Sequence, residues 1–170
     1  YETDVNPHER LDEHIKQLTG LTDARLRKAP EFAQVAKEIF ELIEDAVFVA
    51  HNVKFDANLL AEALFLEGFE LTTPRIDTVE LSQIFYPTLE RYNLGALADE
   101  LEIELHHAHS ALADAMATAQ LLLKVREKIA SLPRGLIEKL LSMADCLIYE
   151  SRLLIEDALE DSSLFLPAHL

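Results

Sequence analysis

Residues 105–115 read Leu-His-His-Ala-His-Ser-Ala-Leu-Ala-Asp-Ala, a histidine-rich turn that runs into an alanine-rich helix carrying one carboxylate. Two helical side chains at the spacing of His109 and Asp114 would diverge by roughly 140°. We therefore expect His109 on a loop just before the helix and Asp114 on its second turn. The surrounding alanines would let this helix pack closely against its neighbours. The pattern favours a metal-binding carboxylate beside a mobile histidine base.

Composition and charge limit the kind of protein that can carry such a site. The chain has 170 residues, of which 49% are apolar, which suits one domain with a sizeable core. Its formal net charge of −16 argues against binding nucleic acid through a general basic field, so a polyanionic substrate would need metal ions. The single Cys146 excludes an internal disulfide framework and is expected in the core. No run approaches the ~20 apolar residues of a membrane span, so we expect no membrane partner and a cytoplasmic location.

A second candidate carboxylate follows a short apolar run. Residues 46–50 are continuously apolar and too few for a helix, which predicts a central strand buried on both faces. They lead into residues 51–56, His-Asn-Val-Lys-Phe-Asp, and a helix is expected from Asp56 to Leu66 with its C-cap near Gly68. A plain alternative for the His-Asn pair is that Asn52 simply caps this helix.

The remaining pattern predicts an α/β domain. Apolar spacing indicates helices at 11–18, 31–44, 79–85, 94–101 and 111–129, with a short helical or looped segment at 21–29. Tyr1 to Val5 alternates like an edge strand, and residues 76–78 resemble a strand end in which Asp77 or Thr78 caps the next helix. We expect the domain to cover residues 1–132 and a helical extension or connector to cover 133–170.

Two sequence motifs together point to a family. Residues 51–56 match the pattern HNxxFD, and residues 109–114 match HxAxxD. In this order and context they resemble the second and third motifs of the DnaQ-like 3′-5′ exonucleases, the DEDD type with a histidine base. The resemblance implies a ribonuclease H-like mixed sheet flanked by helices. It also implies that four carboxylates hold two divalent ions, Mg²⁺ or Mn²⁺, at which water attacks a terminal phosphodiester.

The resemblance also implies roles for individual residues. It implies that Asp56 and Asp114 are metal ligands and that His109 is the general base, a role suited to a side chain whose usual pKa is ~6.5. It also implies that His51, Asn52 and Phe55 contribute to substrate binding. His51 and Asn52 would shape the pocket, and Phe55 would pack beside it. Zinc binding by the histidines at 106, 107 and 109 is a less favoured alternative, because no cysteine pair accompanies them.

One family motif has no counterpart in this sequence. The first motif, Asp-x-Glu, is absent, and Glu2 is a poor substitute because no Asp stands two positions before it. Tyr1 to Val5 matches the family's third strand. We therefore expect further residues ahead of Tyr1 that supply two strands and the missing carboxylate pair, since a buried edge needs backbone partners.

Three functions stay open at this point. The favoured one is a metal-dependent exonuclease acting on a nucleic acid 3′ end, with single-stranded DNA ahead of RNA. The others are a catalytically incomplete nucleic-acid-binding module and an oligonucleotide phosphoesterase. The extension resembles the connector to the helicase of DinG-like proteins, while a DNA polymerase III epsilon-type component is an alternative. A helicase or polymerase is accordingly the expected partner or fused domain.

Overall fold

The computed structural model of the protein describes residues 1–105 and 110–164. Their elements, in chain order, are α1 (Glu13–Thr19), α2 (Asp23–Leu26), α3 (Phe32–Ile43), β1 (Phe48–Ala50), α4 (Val53–Leu66), β2 (Arg75–Asp77), α5 (Thr78–Phe85), α6 (Leu94–Glu100), α7 (Ala111–Ala130), α8 (Arg134–Met143), a 3₁₀ turn (Ala144–Cys146) and α9 (Arg152–Leu164). His106, His107 and His109 lie outside the described residues, and with them the predicted base and the zinc alternative.

Local signals explain where several helices begin and end. At the start of α3, the Glu31 N–H donates to the Gln34 side chain at 2.9 Å in a capping box. At the start of α6, the Asn93 side chain accepts the N–H of Ala96 at 2.9 Å. After α4 the chain turns at Gly68, whose φ of +88° strongly favours glycine. The helices predicted at these places are confirmed, although α4 begins at Val53 rather than at Asp56.

The sheet in the described part of the chain has two parallel strands. Val49 of β1 pairs with Ile76 of β2, and helices flank the pair, which confirms the α/β class. The prediction that β1 is buried on both faces is wrong, because its residues are only half-buried. Among the described residues β2 is the only strand that pairs with β1. The described ranges therefore contain no second strand beside the other edge of β1.

The predicted edge strand at Tyr1 to Val5 is also wrong. These residues have no regular secondary structure, since no described strand offers them backbone partners. Side-chain and turn contacts hold the segment instead. Asp4 forms a two-point ion pair with Arg25, and the Asn6 N–H donates to the Pro30 carbonyl at 2.9 Å.

Two apolar clusters stabilise the fold. The larger cluster is buried between α5, α6, α7, α8 and α9, and its fully buried leucine and isoleucine side chains are Leu81, Leu97, Leu121, Ile129, Ile137 and Ile155. The smaller one joins α3 to α4, with Phe40 and Phe69 stacked at a centroid distance of 5.0 Å. The larger cluster fixes α7 beside the sheet.

The helices after residue 132 take part in the larger cluster. α9 packs along α7 and buries Leu154, Ile155 and Ala158 there. Cys146 is exposed, so its predicted core position is wrong; in its 3₁₀ turn it is Ala144 that is buried. No helix in the described ranges combines the length and apolar character that crossing a bilayer requires.

Candidate active site

His51, directly after β1, joins three separate segments of the chain. Its Nδ1 lies 2.9 Å from Thr78 Oγ1, and its Nε2 lies 2.8 Å from the carbonyl oxygen of Tyr92. Because a carbonyl can only accept, Nε2 must carry a proton. The Thr78 hydroxyl has one proton, and its two possible acceptors are His51 Nδ1 at 2.9 Å and the Ala50 carbonyl at 3.4 Å. The ring therefore fixes the end of β1 to the first turn of α5 and to the loop before α6.

The environment of His51 keeps its ring neutral. Burial lowers the pKa of the imidazole below its usual 6.5, although the hydrogen bond to Tyr92 and the charges of Asp77 and Asp56 oppose that shift. Both ring nitrogens are engaged by protein groups. His51 is therefore a link between segments at neutral pH and is not placed to take a proton from water.

Asp77 connects the starts of two helices. Its Oδ1 accepts the N–H of Val79 at 2.8 Å and that of Asn52 at 3.1 Å, while its Oδ2 accepts the N–H of Val53 at 3.2 Å. The side chain is only 6% exposed. The predicted capping role of Asp77 for α5 is confirmed, and the same carboxylate also serves the first turn of α4.

Asn52 occupies the cap position of α4 in an unusual backbone conformation. Its φ of 68° and ψ of 56° are left-handed, a region that Asn tolerates better than most residues. The plain alternative, that the Asn52 side chain caps α4, is wrong because the side chain makes no capping hydrogen bond. Asp77 supplies that acceptor instead.

Asp56 stands in the first turn of α4 at the protein surface. Partial enclosure by the surrounding chain raises the pKa of its carboxyl group, and the charge of Asp77 adds to this. The N–H of Asp56 itself and the His51 ring act in the opposite direction. The local surplus of negative charge suits a site for a cation.

Asp114 lies in the first turn of α7, so its predicted place on the second turn is wrong, and it is half-buried. Its backbone N–H donates to the Ser110 carbonyl at 2.9 Å, and its carbonyl accepts the Thr118 hydroxyl at 2.8 Å. The helix therefore begins after Ser110, as predicted. Both α4 and α7 pack against β1, so the two helices that carry Asp56 and Asp114 share one strand as their support.

Comparison with known proteins assigns the chain to a family. The family model RNase_T, described as an exonuclease, matches residues 1–122. The chain belongs to this exonuclease family. Both motif carboxylates fall within the matched residues.

Relatives of this exonuclease-family chain are much longer proteins. The 3′-5′ exonuclease DinG of Bacillus subtilis (strain 168) is 36% identical over 137 residues, which are 80% of this chain and 15% of that protein. The DNA polymerase III PolC-type of Halalkalibacterium halodurans is 43% identical over 123 residues, which are 72% of this chain and 9% of that protein. The chain thus spans only a small part of the curated relatives it matches.

A solved structure shows the fold of the family in this chain. Exonuclease X in complex with 5′-overhanging duplex DNA matches with a TM-score of 0.57 and 22% identity, over 72% of this chain and 70% of that one. The predicted ribonuclease H-like α/β fold is confirmed by this match.

The exonuclease-family motif residue Phe55 is not packed as expected. Its side chain is 69% exposed, so the prediction that it packs beside the pocket is wrong; no described segment covers that face of α4. Phe55 instead lines an open cavity of about 430 Å³ together with Asn52, Lys54 and Asn58. The cavity begins at the left-handed Asn52 and runs along α4.

The donor chemistry fits a divalent metal ion only in part. Carboxylate oxygens are the ligands that Mg²⁺ and Mn²⁺ prefer, and Asp56 and Asp114 supply them. Residues 1–105 and 110–164 nevertheless contain no group of three or more His, Cys, Asp or Glu side chains that could hold an ion. The described residues alone therefore do not complete an ion site.

Thr78 and Tyr92 hold His51, and this role was missed by sequence reasoning. Thr78 and Tyr92 stand in the short stretches 76–78 and 92–94. Their contacts with His51 span 27 and 41 positions and cannot be derived from local pattern. The co-occurrence of these stretches with HNxxFD was the available signal.

Proposed function

We propose that the chain is the 3′-5′ exonuclease domain of a larger DNA-processing protein, which hydrolyses terminal phosphodiesters and releases nucleoside monophosphates. One observation carries the proposal: Asp56 and Asp114 stand in the first turns of two helices that pack against the same strand. Membership in the exonuclease family supports it, because the matched residues 1–122 include both carboxylates.

The chemistry divides among three residues. Asp56 and Asp114 would hold divalent ions, Mg²⁺ or Mn²⁺, two of them in the complete domain. Such ions, when bound, polarise the scissile phosphate and balance the charge that develops on its oxygens. His109 accepts the proton of the attacking water, a role for which His51 is unsuited because both of its ring nitrogens are engaged.

Single-stranded DNA is the favoured substrate. The exposed ring of Phe55 can stack on a base, since every base has an apolar face, and the neighbouring Lys54 can approach a phosphate. Asn52 and His51 would complete the wall of the pocket. The net charge of −16 leaves bound cations as the main counter-charge for a phosphate chain.

The parent protein is proposed to carry a helicase. Similarity to DinG covers 80% of this chain. Residues 134–164 are largely helical, as we expect of a connector. We assign residues 1–132 to the exonuclease domain and 133–170 to the connector. A polymerase partner is the alternative, given the similarity to the PolC-type polymerase.

A second candidate function is a catalytically incomplete DNA-binding module. It is favoured by the exposed Phe55 ring beside Asn52 and Lys54, a surface that could hold single-stranded DNA without hydrolysing it. The intact Asp56 and Asp114 speak against it, because a domain kept for binding alone has no need of both motif carboxylates.

Labelled oligonucleotides separate these functions. The full-length protein is incubated with single-stranded DNA, single-stranded RNA and a duplex with 5′ overhangs, each labelled at either end, with Mn²⁺, Mg²⁺ or a chelator. The proposal predicts that the 3′ label is released as a mononucleotide only when metal is present, and that the 5′-labelled strand shortens stepwise. Both reactions should be fastest on single-stranded DNA. Tight binding without shortening supports the incomplete module, and degradation limited to very short strands supports a phosphoesterase.

Two substitutions and one control complete this experiment. Asp56→Asn and Asp114→Asn keep side-chain size and remove one ligand charge each, so either should abolish release. The control is Asp45→Asn, in the exposed turn before β1, which should leave the rate unchanged. Equal rates for all three variants would contradict the proposed site.

A further inference from the structure

Glu80 links the first turn of α5 to a distant loop. Its Oε1 accepts the N–H of Ile148 at 2.8 Å, and its Oε2 accepts the hydroxyl of Ser151 at 2.7 Å. Ser151 is completely buried. A glutamate three positions after a helix cap commonly reaches back to that cap, whereas Glu80 reaches across to the segment that begins α9.

Glu150, between these two contacts, occupies the outer edge of β2. Its N–H donates to the Arg75 carbonyl at 2.9 Å, and its carboxylate accepts the Arg75 N–H at 2.7 Å. One residue thereby satisfies both backbone groups of Arg75 as a neighbouring strand would. Residues 148–151 are thus attached to β2 and α5 by four hydrogen bonds.

Hydrogen bonds, not apolar burial, attach the loop itself. Ile148 is 82% exposed and Glu150 is also exposed, so the loop gains little from leaving water. The apolar contacts lie beyond it, where Leu154 and Ile155 of α9 enter the core against α7. We call residues 148–151 together with α9 the brace.

The brace connects the two halves of the candidate site. At one end it holds the β2–α5 junction, whose Asp77 accepts the N–H groups that begin α4 and whose Thr78 binds His51. At the other end it packs along α7, the helix of Asp114, and Asp157 forms an ion pair with Arg126 there. The brace therefore adds a second tie between the supports of Asp56 and Asp114, besides the direct packing of α5 on α7 and of α4 and α7 on β1.

We propose that Glu80 and Ser151 are positioning residues for the exonuclease site, because their hydrogen bond lets the brace fix the β2–α5 junction relative to α7. The expected effect of this hydrogen bond on the reaction rate rests on the proposed function. Its expected effect on the structure does not, because the amides of Asn52 and Val53 report on the junction directly.

Four variants test the proposal in the full-length protein. Glu80→Ala removes both contacts and Ser151→Ala removes one. Glu80→Gln can keep both, since its carbonyl accepts from Ile148 and its amide can donate to the Ser151 hydroxyl. The control is Glu138→Ala on α8, whose ion pair with Arg134 stays within its own helix.

Hydrogen exchange at the amides of Asn52 and Val53 gives the first readout, and kcat with KM gives the second. Glu80→Ala and Ser151→Ala should speed this exchange about fivefold or more and lower kcat about tenfold, with KM changed less than about twofold, because misplaced groups slow the chemical step. Glu80→Gln and Glu138→Ala should stay within about twofold of wild type in both readouts.

Each result has a defined meaning. Unchanged exchange at Asn52 and Val53 in Glu80→Ala, or a rise shared equally by every amide, would overturn the positioning role. If Glu80→Ala does not fold, Ser151→Ala decides by the same readouts. A wild-type protein without nuclease activity would refute the proposed function, while the exchange data would still decide whether the brace holds the junction.

Discussion

Replacing Asp77 should destabilise the protein more than the loss of an ordinary helix cap. This carboxylate is nearly buried and accepts three backbone N–H groups, from Asn52, Val53 and Val79. In Asp77→Ala all three donors lose their acceptor and two helix starts lose their cap. In Asp77→Asn, Oδ1 can remain, but the amide nitrogen would face the N–H of Val53, so one bond is replaced by two opposed donors.

The magnitude follows from these contacts. Two lost caps at about 1 kcal/mol each set a lower bound of about 2 kcal/mol for Asp77→Ala. Three hydrogen bonds to a charged group at about 1.5 kcal/mol each set an upper value of about 4.5 kcal/mol. Asp77→Asn, with one bond lost, should cost about 1.5 kcal/mol.

Urea unfolding measures these differences. With a slope of roughly 2 kcal/mol per molar urea, the midpoint should fall by about 1–2 M for Asp77→Ala and about 0.7 M for Asp77→Asn. The matched control is Asp12→Asn, at the exposed cap of α1, where the carboxylate accepts the N–H of His14 and Asn caps equally well. An Asp77→Asn midpoint equal to that of wild type would refute the three-donor arrangement.

Three further predictions concern single side chains. Asp56→Asn should raise the melting temperature at pH 7. The folded protein raises the pKa of Asp56 above its usual 3.8, so ionisation of this carboxyl group lowers the stability of the wild type as pH rises through the folded pKa. The difference in melting temperature between variant and wild type should therefore vanish in melting scans below pH 3.8. Phe55→Ala should raise KM for single-stranded DNA about fivefold or more while leaving the melting temperature unchanged, since the ring is 69% exposed; an unchanged KM would exclude base stacking there. His109→Ala should lower kcat by ~10² to 10⁴ and leave circular dichroism intact, whereas replacing His106 or His107 should be nearly silent; wild-type turnover in His109→Ala would remove it as the base.

Helix positions were the part of the fold most accessible from sequence. The start of α3 at its Glu31 capping box, the end of α4 before Gly68 and the start of α6 at Asn93 depend on neighbouring residues only. Local signals of this kind need no tertiary information. The family motifs likewise led, by order and spacing, to the prediction that Asp56 and Asp114 bind metal.

Features that depend on distant partners could not be predicted. The half-buried state of β1 and the irregular course of Tyr1 to Val5 follow from which strands are present to pair with them. The exposure of Phe55 depends on what covers α4. The attachment of His51 to Tyr92 joins residues 41 positions apart, which no local pattern encodes.

Manganese titration by calorimetry, run beside the 3′-release assay on the full-length protein, tests most directly whether Asp56 and Asp114 form one site. If they do, Asp56→Asn and Asp114→Asn should each weaken Mn²⁺ binding by about tenfold or more and abolish release of 3′-terminal nucleotides, because each removes one of few charges around the same ion. Asp45→Asn should change neither quantity. Wild-type Mn²⁺ affinity in both variants, or continued 3′ release by either, would contradict a shared metal-dependent site.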